Sequence, residues 1–284
     1  MRALTFTDPA AFLAVAEPWL LERITENNLV LGIATTARSQ PGVYGGRLWF
    51  ALVTQGDTPL LAALRTAPRP AVLSVGEARA VPTLVDALRQ HQPDNPGVIG
   101  PTDLARSLAT TWCGDTWSQA MAMRAYELTT ILPDPRRPTG TLRPVRVDER
   151  PQLTRWIEGF RRDAHLRDTA PAIETARHMM AAARAWFFEV DGVAVAVATV
   201  SGSSDLPGAA RIGMVYTPPE HRCKGYGSAA TAALAARLLA GDTRACFLFT
   251  DLANPTSNAI YQRIGFEPVC DYEDLLFSEP FGVQ

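Results

Sequence analysis

A glycine-containing run, Arg222-Cys223-Lys224-Gly225-Tyr226-Gly227, lies between an apolar segment and an alanine-rich one and limits what this part of the chain can form. Glycines at alternate positions allow a tight backbone turn and leave no Cβ between the backbone and a ligand. The residues that follow, 228–240, are strong helix formers, so the run leads into a helix N-terminus with free N–H groups and a partial positive charge. Arg222 and Lys224 add full positive charge. The sequence therefore predicts a strand–loop–helix unit that holds a phosphate group.

A proline-rich segment, 133–140, divides the chain of 284 residues almost in half. Three prolines and one glycine in eight residues cannot sustain a helix or a central strand. The length also favours two domains, since a domain usually holds about 100–200 residues. We therefore predict a first domain over 1–134, a linker over 135–140 and a second domain over 141–284.

Hydrophobic periodicity and turn signals predict a series of strands and helices after the linker. The second and third strands form a hairpin that turns at Asp191-Gly192, a favoured two-residue turn. The last helix has Asn254 as N-cap, Pro255 at its first position and Gly265 just past its end. The predicted strands are 142–147, 186–190, 193–200, 211–217, 245–250 and 272–277, and the predicted helices are 148–160, 172–184, 228–240 and 254–264.

The first half shows a similar but weaker pattern. It contains neither a Gly-x-Gly loop nor a helix that follows one. An α/β half with comparable elements but no phosphate-binding loop suggests a degenerate copy of the second half. The predicted strands are 48–54, 60–66, 71–75 and 121–131, and the predicted helices are 77–90 and 102–111.

The helix over 254–264 carries three polar side chains at helical spacing. At about 100° per residue, Asn254, Asn258 and Tyr261 fall on one side, while Ile260 and Ile264 fall on another. The polar stripe can therefore face a cleft while the isoleucines face a core. The same residues also suit an ordinary N-cap, an exposed asparagine and an interfacial tyrosine.

Together these features resemble the GNAT superfamily of acyl-CoA-dependent N-acetyltransferases. The resemblance rests on Met214-Val215-Tyr216-Thr217-Pro218 leading into Arg222-x-x-Gly225-x-Gly227, then Asn254 and Tyr261, then Gly265-Phe266. It covers residues 142–284. It implies an α/β (α+β) fold with a mixed, largely antiparallel sheet flanked by helices, the acyl-CoA N-acyltransferase fold. For the whole chain it suggests two tandem GNAT-like domains.

The resemblance implies acetyl-CoA as co-substrate, no metal, and a role for each matching residue. Strand backbone groups of Met214, Val215 and Tyr216 would pair with the pantetheine arm. Asn254, with Asn258 nearby, would contact the pantetheine or the sulfur region, and Tyr261 would protonate the departing thiolate as general acid. The pyrophosphate would bind the amides of Arg222, Cys223, Lys224, Gly225, Tyr226, Gly227 and Ser228.

The base on the amine side is not fixed by the sequence. Some family members carry a glutamate five residues before the helix asparagine, where this chain has Phe249. Glu189, His221 and Asp251 remain candidates, as does a base acting through water. The acceptor, a small-molecule or peptide amine, would bind near 157–180 and the first half. That wall would include Trp156, Phe160, His165, Arg167, Asp168 and Met179.

Two other classes compete with the transferase. The pattern Gly225-x-Gly227-x-x-Ala230, with Asp251 further on, also fits a dinucleotide-binding oxidoreductase. Against it, several residues separate the predicted strand from Gly225, and too little chain follows Asp251 for further βαβ units. A non-catalytic acyl-CoA-binding or interaction protein is the stronger alternative because Phe249 replaces the carboxylate.

Composition limits the partners. With 27 basic and 29 acidic residues, the net charge of −2 gives no general attraction to nucleic acid or to an anionic membrane. The sequence shows neither a signal peptide nor an apolar span of about 20 residues. The four cysteines are scattered, without CxxC pairs. We therefore expect a cytoplasmic protein, monomeric or homodimeric, that binds neither nucleic acid nor membrane.

Overall fold

A computed structural model describes residues 1–166, 170–201, 206 and 208–278. The first half forms β1 (Arg2–Phe6), α1 (Pro9–Leu21), α2 (Ile24–Ser39), β2 (Leu48–Gln55), β3 (Thr58–Thr66), β4 (Ala71–Leu73), α3 (Val81–His91), β5 (Gly97–Pro101), α4 (Thr102–Cys113) and β6 (Trp117–Leu128). The second half forms β7 (Thr141–Pro144), α5 (Arg150–Asp163), α6 (Ala172–Ala181), β8 (Ala185–Val190), β9 (Val193–Ser201), β10 (Ala209–Tyr216), α7 (Tyr226–Leu239), β11 (Ala245–Asp251), α8 (Pro255–Ile264) and β12 (Glu267–Phe277). Within these residues no helix combines the length and the apolar character needed to cross a membrane.

The two halves have the same order of strands and helices. In the first half, β1, α1, α2 and β5 were not expected from the sequence. The buried face of α2 explains one omission, because it includes Asn27, Asn28 and Thr35 beside apolar residues. Such a mixed face hides the apolar periodicity that marks an amphipathic helix. In the second half α6 ends at Ala181, earlier than predicted, and β12 begins at Glu267, earlier than predicted.

All twelve strands of the described residues form one sheet, in the order β1-β2-β3-β4-β5-β12-β6-β11-β10-β9-β8-β7. The halves exchange their last strands: β6 pairs antiparallel with β11 and β12, while β12 pairs antiparallel with β5. Backbone pairing therefore joins strands that precede the proline-rich segment to strands that follow it. The last strand of each half lies among the strands of the other half.

The sheet is mixed and largely antiparallel, as expected. Within the described ladders, β4 with β5 and β10 with β11 are parallel, and the other neighbours are antiparallel. Helices α1, α2, α5 and α6 pack on one side of the sheet, called here the front face, and α3, α4, α7 and α8 pack on the back face. Alternating side chains supply the two cores. In β10, for example, Met214 and Tyr216 pack toward α5 while Val215 packs toward α7 and α8.

Candidate active site

A gap opens in the sheet between β10 and β11. Their parallel ladder runs only from Ala209↔Ala245 to Arg211↔Phe247. Beyond this point β11 continues against β6, and β10 continues against β9. Among the described residues, the edge of β10 that faces β11 therefore has no strand partner after Arg211. Such an edge offers N–H and C=O groups to an extended ligand.

The middle of β10 is bulged at the gap. Its register with β9 shifts between Ile212 and Val215. Gly213 lies in this shift, where a Cβ would collide with the Ser201 hydroxyl, so any larger residue would have to displace that side chain. The Thr199 hydroxyl donates to the Met214 carbonyl at 3.3 Å. The sequence-predicted residues Met214, Val215 and Tyr216 thus all lie along the open edge.

The glycine run lies at the end of this edge. A short 3₁₀ turn over Pro219–His221 precedes it, and Cys223 and Gly225 both have positive φ, +61° and +77°. Helix α7 begins at Tyr226, two residues earlier than predicted, with Gly225 as N-cap. Tyr226, Gly227 and Ser228 therefore belong to the first helical turn, whose amides lack intrahelical acceptors.

The two glycines of the run have different surroundings. A Cβ on Gly225 would lie 3.1 Å from Pro138 Cδ in the proline-rich segment, and its positive φ disfavours any other residue. A Cβ on Gly227 would lie 3.3 Å from Thr217 Oγ1 and 4.0 Å from Val215 Cγ1, without a positive φ. The backbone therefore demands glycine at Gly225 more strongly than at Gly227.

Arg222 does not present the free charge expected from the sequence. Its guanidinium forms an ion pair with Asp163 at the end of α5, and its Nε donates to the Thr217 carbonyl at 3.0 Å. It also lies 5.7 Å from the centroid of the Tyr216 ring. The Arg222 guanidinium holds the pKa of the Asp163 carboxyl below its ordinary value. Arg222 therefore braces the loop against α5, and Lys224 is left as the exposed cation of the run.

Helix α8 follows β11 and brings the predicted asparagines to the edge of the gap. Asn254 caps the helix, and its side chain accepts from the Ser257 amide at 3.0 Å. Asn258 donates to the carbonyls of Asp251 and Asn254 at 2.9 and 2.7 Å and accepts from the Tyr126 hydroxyl at 3.0 Å. Asn258 thus fixes the start of α8 against β6 and β11.

Tyr261 follows Asn258 by three positions on α8 and therefore lies on the same side of the helix. It packs with Ile260 against the back-face core, and its ring meets that of Phe266 edge-on at 5.8 Å. Burial raises the pKa of its phenol to about 12. Within the described residues its hydroxyl has no hydrogen-bond partner. Tyr261 is therefore a neutral donor at pH 7 in a desolvated setting.

The carboxylates considered as bases are engaged elsewhere. Glu189 pairs with Arg143 and lies 3.9 Å from Arg146, and Asp251 accepts from the Ala253 amide at 2.8 Å. Phe249, at the position of the family glutamate, meets Tyr272 edge-on at 5.2 Å. His221 packs 6.4 Å from the Tyr226 ring, beside the loop.

The expected acceptor wall is mostly core. Trp156 packs against Phe187 at 4.8 Å between ring centroids, and Met179 contacts the same apolar cluster. Phe160 meets the Tyr216 ring edge-on at 6.5 Å, which places it nearer the gap. His165 has a positive φ of 50° in the turn after α5. Arg167 and Asp168 lie outside the described residues.

The corresponding place in the first half is filled. There β4 pairs with β5 at only two positions. After β4, the Val75 amide donates to the buried Asn27 side chain at 3.0 Å. A Cβ on Gly100 would lie 2.8 Å from Leu73 Cβ, so the two strands pack closely. This half thus lacks the glycine run, and the Asn27 side chain takes up a backbone amide that follows β4.

Sequence patterns did not reveal Asp163 or Thr199. Asp163 meets Arg222 only through the fold, 59 positions along the chain. Thr199 resembles any other strand residue until the bulge of β10 brings the Met214 carbonyl to it. Neither position carries a local signal.

Comparisons with known proteins agree with this geometry. A family model described as the acetyltransferase (GNAT) family matches residues 150–266. A GCN5-related N-acetyltransferase from Sphaerobacter thermophilus has a TM-score of 0.62 at 13% identity, over 98% of this chain and 96% of that one. A tandem GNAT protein from the clavulanic acid biosynthesis pathway has a TM-score of 0.56 at 14% identity, over 100% of both chains.

A third solved structure, a GCN5-related N-acetyltransferase from Kribbella flavida, has a TM-score of 0.56 at 20% identity, over 87% of this chain and 95% of that one. At such identities the likeness shows the fold alone. No curated protein gives a significant sequence match to the chain. The family match and the gap beside α7 concern the same stretch of sequence. Residues 150–266 therefore form a domain of the acetyltransferase (GNAT) family.

Proposed function

We propose that the chain is an N-acetyltransferase that moves an acetyl group from acetyl-CoA to a primary amine of a small molecule or peptide. The observation that carries the proposal is the open edge of β10, which leads into the loop before α7. An extended pantetheine arm can pair with such an edge as a strand would. The amides at the start of α7 suit a pyrophosphate.

The cofactor would be held mainly by backbone groups. Met214, Val215 and Tyr216 would pair with the pantetheine arm, and the amides of 222–228 would surround the pyrophosphate, with Lys224 adding charge. Asn254 uses its side-chain oxygen as the helix cap, which leaves its amide N–H groups to donate toward the pantetheine or the sulfur. Asn258 would act by fixing this end of α8 rather than by direct contact.

Tyr261 would serve as general acid. The neutral amine attacks the thioester carbonyl, a C–N bond forms, the C–S bond breaks, and the amine loses a proton to water. The phenol then gives its proton to the departing thiolate and recovers it from solvent. Because burial raises the pKa of Tyr261 to about 12, the phenol stays protonated throughout the neutral range.

The test combines binding with turnover. Calorimetry should show acetyl-CoA binding, and release of free thiol should report turnover with a panel of amines. Tyr261→Phe should lower kcat on the order of 10²–10⁴-fold while acetyl-CoA affinity changes less than about twofold. Tyr272→Phe is the control. Its phenol contacts the Glu26 carbonyl in α2, so this variant should retain turnover. Unchanged turnover in Tyr261→Phe would remove Tyr261 from the mechanism.

A second candidate, a non-catalytic acyl-CoA-binding protein, is favoured by one observation. Phe249 occupies the position of the family glutamate, and Glu189 and Asp251 are held by other partners. Acetyl-CoA binding without thiol release across a broad amine panel would support this candidate. Failure to bind any acyl-CoA would reject both.

A further inference from the structure

Arg211 stands at the closed end of the gap between β10 and β11. It is the last residue of β10 that pairs with β11, opposite Phe247. Its neighbour Ile212 packs toward α7 and α8 on the back face, so strand alternation directs Arg211 to the front face. A cofactor bound between α7 and α8 would enter from the back. Arg211 therefore lies on the side from which an acceptor would approach.

The charge of Arg211 has no acidic partner among the described residues. Its guanidinium is partly buried, and burial lowers its pKa. The group that offsets this is Tyr44, from the loop before β2 in the first half. Burial raises the pKa of the Tyr44 phenol, so Tyr44 is neutral at pH 7 and supplies no counter-charge. Arg69 and Arg184 also lie within electrostatic range of Tyr44, which makes the cluster more positive.

Three other shielded arginines of the chain are neutralised. Arg65, fully buried, pairs with Asp94 at 2.6 Å, Arg124 pairs with Asp271 at 2.6 Å, and Arg143 pairs with Glu149 at 2.7 Å. This is the usual state, because a desolvated charge is costly unless an opposite charge meets it. Arg211, like the half-buried Arg184, lacks such a partner among the described residues, and Arg211 lies at the edge of the proposed reaction site.

On the β9 side the front face beside Arg211 is small and polar, whereas on the β11 side it is the apolar Phe247. Ser201 pairs with Arg211 across β9 and β10, and its hydroxyl borders Gly213. The Thr199 hydroxyl is the next polar group along β9, beside the Met214 carbonyl. A strand rises about 3.3 Å per residue, so Arg211 lies roughly 7–10 Å from Met214 along β10. A short molecule could span that distance.

We propose that Arg211 binds an oxyanion, a carboxylate or a phosphate, carried by the acceptor amine. The inference rests on the proposed function and names its substrate class: compact amines that bear a negative charge a few bonds from the nitrogen. A guanidinium matches the planar, bidentate geometry of such groups. Bound acceptor would then supply the negative charge that the described protein lacks at this position.

The experiment compares matched acceptors. In the carboxylate arm, glycine, β-alanine and γ-aminobutyrate are each paired with the corresponding decarboxylated amine. In the phosphate arm, O-phosphoethanolamine is paired with ethanolamine. Initial rates of thiol release with acetyl-CoA give kcat/KM at equal concentrations of neutral amine. The same pairs are measured with Arg211→Met, with Arg211→Lys and with Arg237→Met, an exposed arginine on α7 that serves as control.

We expect the anionic member of at least one arm to be preferred about tenfold or more by the wild-type chain and by Arg237→Met. Arg211→Met should abolish that preference while its rate with the uncharged member stays within about twofold, and Arg211→Lys should retain part of the preference. Removing an unpaired cation should also leave the melting temperature unchanged or higher.

A wild-type preference for uncharged amines, or a preference that survives in Arg211→Met, would overturn the proposal while leaving the transferase intact. Acetyl-CoA binding with no acetylated amine in either arm would overturn this proposal, and it would count against the transferase only if the broad amine panel also gave no thiol release. The arm that shows the Arg211-dependent preference identifies the oxyanion as carboxylate or phosphate.

Discussion

The two glycines of the loop before α7 should respond oppositely to alanine. At Gly225 an alanine adopts a left-handed conformation with φ near +77°, which costs about 1–2 kcal/mol, and its Cβ lies 3.1 Å from Pro138 Cδ. At Gly227 the backbone is already helical, so alanine gains up to about 1 kcal/mol of helix propensity. Its contact with Thr217 Oγ1 at 3.3 Å offsets part of this gain.

In the absence of ligand, Gly225→Ala should therefore melt roughly 2–8 °C lower than the wild-type chain, at about 2–4 °C per kcal/mol for a protein of this size. Gly227→Ala should melt no lower than wild type. Differential scanning fluorimetry and calorimetry give the two temperatures.

Gly227→Ala should weaken acetyl-CoA binding even though it does not lower the melting temperature. The Cβ of Gly227→Ala would stand where the pyrophosphate must approach the first turn of α7, so Kd should rise about tenfold or more, which corresponds to about 1.4 kcal/mol. Gly227→Ala melting as low as Gly225→Ala would refute these roles, and so would Gly227→Ala binding acetyl-CoA as tightly as the wild-type chain.

Four further predictions have defined outcomes. Asp163→Asn breaks the ion pair with Arg222. Because the Asp163 and Arg222 side chains are 30% and 44% exposed, the free energy of unfolding should change by less than about 1 kcal/mol. The KM for acetyl-CoA should rise several-fold in steady-state assays, and an unchanged KM would refute the bracing role. Because the pKa of the Asp163 carboxyl is lowered, its ion pair with Arg222 should persist below the usual aspartate range. Its stabilisation should be lost as pH falls through that lowered pKa, and melting temperatures recorded against pH would show this loss. With the pKa of Tyr261 raised to about 12, kcat should not fall between pH 7 and pH 10, and a Tyr261-dependent descending limb near pH 8–9 would contradict its assignment. Residues 141–284 expressed alone lack β6, the strand that joins β11 to β12, and should be insoluble until residues 1–140 are co-expressed; a soluble, cooperatively melting fragment would be the contrary result.

Local features of the second half were predictable because their causes are local. Asn254, Pro255 and Gly265 define the limits of α8, and the structure has the cap, the first-turn proline and a left-handed Gly265 with φ of +115°. The glycine run before α7 was found for the same reason. Its start shifted by two residues because Gly225 can serve as N-cap in the left-handed region.

Non-local features were not predictable. The exchange of β6 and β12 depends on backbone pairing between strands far apart in sequence, and both strands alternate much as any others would. The neutralisation of Arg222 by Asp163 depends on where α5 ends in space. Arg211 likewise has no acidic neighbour among the described residues because of how the chain folds. No pattern in the sequence can show this.

The central claim is that an acyl-CoA binds in the gap between β10 and β11 of the second half. A crystal structure of the chain with acetyl-CoA tests it most directly. We predict pyrophosphate density on the amides of 222–228, the pantetheine arm along Met214–Tyr216, and the thioester sulfur within reach of the Tyr261 hydroxyl. Pyrophosphate bound anywhere else, such as before α3 in the first half, would contradict the account.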